Sequence, residues 1–307
     1  MLVAALIIII TAASATYSYF GSYLHKPQNQ NLEANLSYGK LIKPEDSAPL
    51  PIPPDLLQGG KGITVPILMY HHIGHVPAGA DAIRRGLTIS PENFLAQVQW
   101  LKNNGYQSVT LQTLYDRATG RPVNWPDKPV ILTFDDGYDD TLINVPPVLN
   151  EYGFTGTFAI ITQFPGTTLG NNSYATWEQI AAAQAAGMEI VCHTQNHFDG
   201  SNPEFTGEYI YQNLSGCQHD LASHLGGTEP FLIYPYGHST DAYVAQAKKA
   251  GFVMALTVHT GRITNPQDLF HLPRIRVNPN EPIKRFQETV TGIFPRTATS
   301  SPGLYGK

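Results

Sequence analysis

The sequence predicts a barrel-like α/β fold, a parallel sheet with helices on its outer face. Three observations predict it. Short apolar runs recur with little internal alternation, as strands covered on both faces do. Helical stretches with capping signals separate many of them. Polar residues able to do chemistry stand where several of these runs end, and in βα barrels the reacting groups lie at the C-terminal ends of strands.

The chain opens on MLVAALIIIITAASA, an almost unbroken apolar run. Its length suits the core of a secretion signal better than a full membrane span, and Ala13-Ser14-Ala15 fits a small-x-small cleavage site. No Lys or Arg precedes Lys26, so the positive n-region is missing, and the run can extend to Phe20 as an anchor. Residues 1–25 are therefore expected to be a signal peptide or an N-terminal membrane anchor. The protein is expected to be exported: extracellular, in the cell wall, or membrane-anchored and facing outward. Residues 26–61 carry PLPIPPD and read as an extended, Pro-rich linker. A single domain is expected over 62–295, followed by a Thr-, Ser-, Pro- and Gly-rich tail at 296–307.

Strand-like runs follow at Val65–Tyr70, Ser108–Thr110, Val130–Phe134, Thr157–Ile161, Glu189–Cys192, Phe231–Tyr234, Val253–Thr257 and Ile275–Val277. Between them, Ser90-Pro91 predicts an N-cap and first helical turn, with Gly105 as the stop. Thr176-Trp177-Glu178-Gln179 is a capping box whose helix ends at Gly187. Ser239 or Thr240 caps a further helix running to Gly251.

Composition bounds the partners. Apolar residues make up 42% and charged residues 14%, enough for a sizeable core and against wholesale disorder. A net charge of −5 without a basic block argues against nucleic acid as the main partner. Aromatic residues are frequent enough to stack on sugars, though most belong in a core. The two cysteines, Cys192 and Cys217, form no CxxC, and either a disulfide or two buried thiols fits them.

The chemistry gathers at four strand ends. VPILMYHHIG places His71 and His72 after the first run, VILTFDDGYDD places Asp135 and Asp136 after another, MEIVCHTQNH adds His193 and His197, and FLIYPYGH adds Tyr234 to Gly237. Adjacent ionised carboxylates repel unless something relieves them. HxxxH is metal-ligand spacing, and two imidazoles with one carboxylate leave a position open for water, the plan of a hydrolytic Zn²⁺ site. One aspartate can then bind the cation while the other takes a proton from water. Neighbours on a straight strand point to opposite faces, so the pair must sit where the backbone turns, and Gly137 supplies that turn. A calcium loop or a plain turn also fits Asp-Asp-Gly. A two-carboxylate glycosidase fits less well, because it needs its carboxyls ~5–9.5 Å apart across a sugar.

TFDDG (Thr133–Gly137), HTQNH (His193–His197) and YPYG (Tyr234–Gly237), in that order and each at a strand end, resemble the first three motifs of the polysaccharide deacetylases, carbohydrate esterase family 4 or the NodB-homology group. The resemblance covers about residues 63–290. LMYHHI and LPRIRV make it similar to the exported branch that includes poly-β-1,6-N-acetylglucosamine deacetylases. It implies a distorted (β/α)7 barrel of the NodB type and a metal-dependent hydrolase that releases acetate from N-acetylglucosamine residues of a polysaccharide. It further implies Asp135 as general base, Asp136, His193 and His197 as metal ligands, and the Tyr236 backbone N–H as an oxyanion donor. The metal is expected to be zinc, with cobalt or nickel as alternatives, and the protein a monomer. The Arg that opens the third motif in many members is absent; Arg274 or Arg276 can replace it, with Arg274 preferred. The late Leu-x-x-His motif has no convincing copy, so His71 is the expected general acid, with His259 and His271 next. His72 should face away from His71 and be structural. Cys192 stands where Ser is usual, and a small buried thiol should fit there. Two other readings compete: an O-acetyl esterase using the same machinery, and a non-catalytic carbohydrate-binding module of the cell wall.

Overall fold

Seven of the eight apolar runs close into a ring. The computed structural model describes residues 63–227, 230–264 and 268–292. The proposed leader or anchor, the linker and the tail lie outside them. The ring strands are β1 (Ile67–Tyr70), β2 (Pro129–Phe134), β3 (Thr157–Ile160), β4 (Glu189–Cys192), β5 (Phe231–Ile233), β6 (Met254–Thr260) and β7 (Leu272–Arg276). Neighbours run β1-β7-β6-β5-β4-β3-β2, and β2 pairs back onto β1, so the sheet is closed. All these pairings are parallel. The barrel class expected from the sequence is the class observed.

Ser108–Thr110 departs from expectation. Gln107–Ser108 pairs only with Pro129 and Val130 at the start of β2, and Thr110 is already the N-cap of the next helix. The run is too short to join the ring. β6 is longer than expected, and its register against β7 shifts between Leu256 and Thr260. Such irregularities re-aim side chains.

The eight helices among the described residues are α1 (Ala82–Leu87), α2 (Pro91–Asn103), α3 (Leu111–Ala118), α4 (Asp139–Tyr152), α5 (Trp177–Ala185), α6 (Gly207–Leu225), α7 (Asp241–Lys249) and α8 (Ile283–Thr291). Ser90 caps α2, and the reciprocal Thr176–Gln179 box caps α5. Thr240, rather than Ser239, caps α7.

Strand alternation divides the core. Ile67, Ile131, Val191, Ile233 and Leu256 belong to one cluster. Leu68, Leu132, Phe134, Phe158, Ile190 and Leu232 belong to another that includes helix residues such as Phe94, Leu149 and Leu214. The first set faces the barrel interior and the second faces the helices. Continuing these inward rows in steps of two, through Met69 and Thr133 on β1 and β2, carries His71, Asp135 and His193 to the mouth on the inner side.

At the opposite end, Glu189 closes the barrel bottom. Its buried carboxylate accepts hydrogen bonds from the N–H groups of Leu111 and Gln112 at the start of α3, both at 2.9 Å, and from the Thr157 hydroxyl at 2.5 Å. A negative charge on the first turn of a helix is favourable both by hydrogen bonding and by the helix dipole. Glu189→Ala leaves those donors unmet in a dry place. We expect it to lower the unfolding free energy by about 3 kcal/mol, read by urea denaturation, with the barrel-mouth residues undisturbed.

Candidate active site

The mouth of the barrel holds a cleft of about 330 Å³ lined by His71, Asp135, Asp136, His193, His197, Tyr236, His238, His259 and Arg276, among others. Each arrives from a strand end or the turn that follows it.

β2 ends at Phe134, and Asp135 continues its inward row, 3% exposed. The turn begins one residue earlier than glycine alone would place it. Asp136 itself adopts φ 75°, followed by Gly137 at φ 78°. That left-handed step swings the second carboxylate out of register with the first, so the adjacent pair does not share one direction.

After β4, the HTQNH segment is a tight loop, not a helix. Thr194 (φ 65°) and His197 (φ 58°) are left-handed, and Tyr236 after β5 is a fourth such residue at φ 58°. Among the described residues, Asp136, Thr194, His197 and Tyr236 are the only non-glycine residues with positive φ. Such conformations cost about 1–3 kcal/mol each and gather at functional sites.

The loop brings His193 and His197 onto Asp136. Their Nε2 atoms lie 3.2 and 3.3 Å from Asp136 Oδ1. One ligand atom from each of the three residues lies within 4.8 Å of the others. His193 donates Nδ1–H to the Ile233 carbonyl at 2.6 Å, which leaves a lone pair on Nε2 facing the carboxylate. Asp136 Oδ1 is buried and makes no hydrogen bond. Lone pairs pointed at one another in a dry pocket call for a cation between them, and two imidazoles with one carboxylate suit a divalent metal. A proton on the rings can stand in for that cation: burial opposes ionisation of Asp136, but hydrogen bonds from the protonated imidazoles outweigh it and hold its carboxyl well below the usual range. Burial likewise opposes protonation of His197, and Asp136 outweighs it, raising that ring.

Asp135 is held by a different cation. Arg274, fully buried on β7, donates Nη1–H to Asp135 Oδ1 at 2.7 Å and Nη2–H to Oδ2 at 2.8 Å. Its Nε–H goes to the Thr257 carbonyl at 2.8 Å, on β6 where the register shifts, and Nη1 also reaches Thr133 Oγ1 at 3.1 Å. Burial pushes the Asp135 carboxyl up, and Arg274 more than offsets it, so the group lies below the ordinary carboxylate range. His71 Nε2 is 4.0 Å from Asp135 Oδ2. Burial lowers the His71 ring to about 4, so it is neutral at rest.

Other expected residues separate. His259 lines the cleft, whereas His271 pairs with Asp268 at 2.7 Å and does not. Arg276 lines the cleft and donates to the Gly86 carbonyl. His72 faces outward, where its ring stacks on Tyr138 and its Nδ1 lies 3.1 Å from Asp140. Of the two alternatives open for the cysteines, the disulfide is the one present: Cys192 is bonded to Cys217 on α6.

Sequence reasoning missed three features. Asp140 also accepts from Arg84 Nη2 at 2.8 Å, anchoring α1 beside the mouth. Tyr138 and Tyr174 pack together next to Asp136, and the Tyr directly after Asp-Asp-Gly was the available signal. His238 meets Asp199 at 2.9 Å, tying the YPYG turn to the segment that follows HTQNH, with no local pattern to announce it.

Residues 123–255 match the family model for polysaccharide deacetylase. A Bacillus subtilis protein, YxkH, which bears the name of a polysaccharide deacetylase, is 28% identical over 224 residues, covering 71% of this chain and 73% of its own. The poly-β-1,6-N-acetyl-D-glucosamine N-deacetylase of Escherichia coli O157:H7 is 24% identical over 250 residues. That match takes in 69% of this chain but 37% of the relative, so the chain spans just over a third of it. Among solved structures, the Streptococcus pyogenes deacetylase PplD in complex with acetate superposes with a TM-score of 0.65 at 26% identity, over 74% of this chain and 98% of that one.

Two outcomes follow from the ion pairs. Arg274→Met strands a buried carboxylate and should cost about 3–5 kcal/mol in urea denaturation. Asp140 is held below the usual range, with burial opposed by His72 and Arg84. Its contribution to stability is present above the unfolded value of about 4 and is lost as pH falls through the folded one. Asp140→Asn should therefore be about 1–3 kcal/mol less stable than the parent at pH 7, with the gap closing below about pH 4.

Proposed function

The chain belongs to the polysaccharide deacetylase family, and from that premise we propose that it removes N-acetyl groups from N-acetylglucosamine residues of a cell-surface or extracellular polysaccharide, releasing acetate. The observation that carries the reading is the convergence at one mouth of Asp135, held by Arg274, and of the Asp136–His193–His197 ligand set.

Asp136, His193 and His197 would hold a divalent ion, zinc first, since such a set also accepts cobalt or nickel. When bound, the ion supplies Lewis-acid activation, lowering the pKa of water toward ~7 and polarising the acetyl carbonyl. Asp135 takes the proton as the water oxygen bonds to the carbonyl carbon. A carboxylate kept this weakly basic by Arg274 suffices for a water already acidified, and the guanidinium fixes its direction. The Tyr236 backbone N–H donates to the oxyanion, a contribution of about 2.7–4 kcal/mol in comparable sites. Collapse breaks the C–N bond, and the nitrogen needs a proton. His71, neutral at rest and beside Asp135, receives that proton and hands it to the amine, giving acetate and a glucosamine residue.

Poly-β-1,6-linked N-acetylglucosamine is the proposed glycan, supported by the relative named for it and by the LMYHHI segment that supplies His71. Export is supported by the apolar opening and by the Cys192–Cys217 bond, because disulfides persist in oxidising compartments. Among the described residues no helix is long and apolar enough to cross a membrane, and the proposed anchor lies outside them.

The full chain is incubated with poly-β-1,6-N-acetylglucosamine oligomers, chitin oligomers and O-acetylated xylan, and acetate is measured. Release from the first should stop with a chelator and return with Zn²⁺. Asp135→Asn should keep metal affinity while kcat falls by about 10²–10⁴-fold. Undiminished turnover in that variant removes Asp135 as the base, and release from xylan alone makes the protein an O-acetyl esterase.

A further inference from the structure

Resting on the metal-site reading above, we propose that the Cys192–Cys217 disulfide and the face of α6 that carries Cys217 are a clamp that presets the ion-binding loop, so that the covalent state of this bond sets the protein's affinity for its metal. Cys192 immediately precedes His193 and is the last residue of β4. Its partner sits in the middle of α6, a 19-residue helix, and both cysteines are fully buried.

The bond does not act alone. The Gln195 N–H, at the centre of the loop, donates to Asn213 Oδ1 at 2.8 Å, and its side-chain amide reaches Asp220 Oδ2 at 2.9 Å. Asn213 Nδ2 donates to Asn196 Oδ1 at 2.8 Å. Asp220 also accepts from Thr162 Oγ1, at the end of the neighbouring strand, at 2.6 Å. Gly216 lets the Gln195 side chain lie flat on the helix, since a Cβ there would come within 2.4 Å of it. Asn213, Gly216, Cys217 and Asp220 thus form one stripe of α6 facing residues 192–196.

A stripe this specific has a reason. Thr194 and His197 are both left-handed, and a β-branched threonine rarely adopts that conformation. Strained residues persist only where the surroundings over-determine them. The loop's own bonds, Thr194 N–H to Cys192 Sγ at 3.2 Å and His197 N–H to Thr194 Oγ1 at 3.0 Å, close the turn but do not fix its place over Asp136. α6 does. Without the cross-link the loop can relax toward ordinary φ, which turns His197 away from Asp136 and leaves His193 on its strand.

The test separates position from bulk stability. The stripped full chain and a Cys192→Ser/Cys217→Ala variant, whose serine keeps an acceptor for the Thr194 N–H, are titrated with Zn²⁺ against a chromophoric chelator. Urea midpoints of both metal-free forms are read alongside. We expect the variant to remain folded and to bind Zn²⁺ about 10–100-fold more weakly, as loss of outer partners does elsewhere. Reducing the parent with a dithiol should give the same shift: the S–S bond takes two electrons and two protons to give two thiols, and the dithiol closes to a cyclic disulfide. Affinity unchanged within about twofold, with only the urea midpoint lowered, overturns the clamp and leaves the bond a plain structural staple. Should the double variant not fold, the reduced parent, freed of dithiol by anaerobic gel filtration because dithiols bind Zn²⁺ themselves, decides: weaker binding supports the clamp, and unchanged binding overturns it. A parent chain that binds no Zn²⁺ overturns the metal-site reading and the clamp with it.

Discussion

Two neighbouring carboxylates, both buried, are the constraint around which the barrel mouth is organised. Burial of either ionised group is costly, and burial of both side by side more so, unless each has its own compensating charge. The structure divides the task. Asp135 receives a bidentate guanidinium from β7, while Asp136 is turned away by its own left-handed backbone to face two imidazoles. This division lets two residues of identical chemistry take different roles. The one with each oxygen bonded by Arg274 keeps its place and its charge. The one with an unbonded oxygen is open to a cation.

The division needs unusual backbone, and the barrel supplies rigid strand ends to hold it. Asp136 follows β2, Thr194 and His197 follow β4, and Tyr236 follows β5. In each case a fully buried apolar strand runs straight into the distorted turn. Strain of this kind cannot survive on a loose loop. It also explains the density of side-chain ties around the mouth: Asp140 with His72 and Arg84, Asp199 with His238, Asn213 and Asp220 with the HTQNH loop. All of them restrict turns that would otherwise relax.

The sequence makes legible what depends on local rules. Apolar runs ending in polar motifs locate β1, β2, β4 and β5, and caps locate α2, α5 and α7, because these signals are written in consecutive residues. Period-two alternation also separates inward His71 from outward His72. It hides what depends on distant partners. Arg274 lies 139 residues from Asp135, and its preference over Arg276 came from a resemblance rather than from any pattern. The disulfide pairs residues 25 apart across a strand and a helix, and spacing alone cannot separate it from two thiols. Helix α4 is poorly legible, because Pro146-Pro147 interrupts its propensity although one face is still buried. The sequence offers Gly137 for the turn after β2, and nothing local announces that Asp136 also takes a positive φ, which is uncommon outside glycine.

The dependence of Asp135 on Arg274 also bears on how the site comes into being. β7 is the last strand of the ring and the one that closes it, pairing with β6 on one side and with β1 on the other. Without that strand the interior above Ile131 and Thr133 would be open to water. The strand that shuts the water out is the one that delivers the guanidinium, so in the closed barrel Asp135 is never buried without its counter-charge. A barrel whose final strand carries the counter-charge for its second strand couples the completion of the fold to the completion of the site.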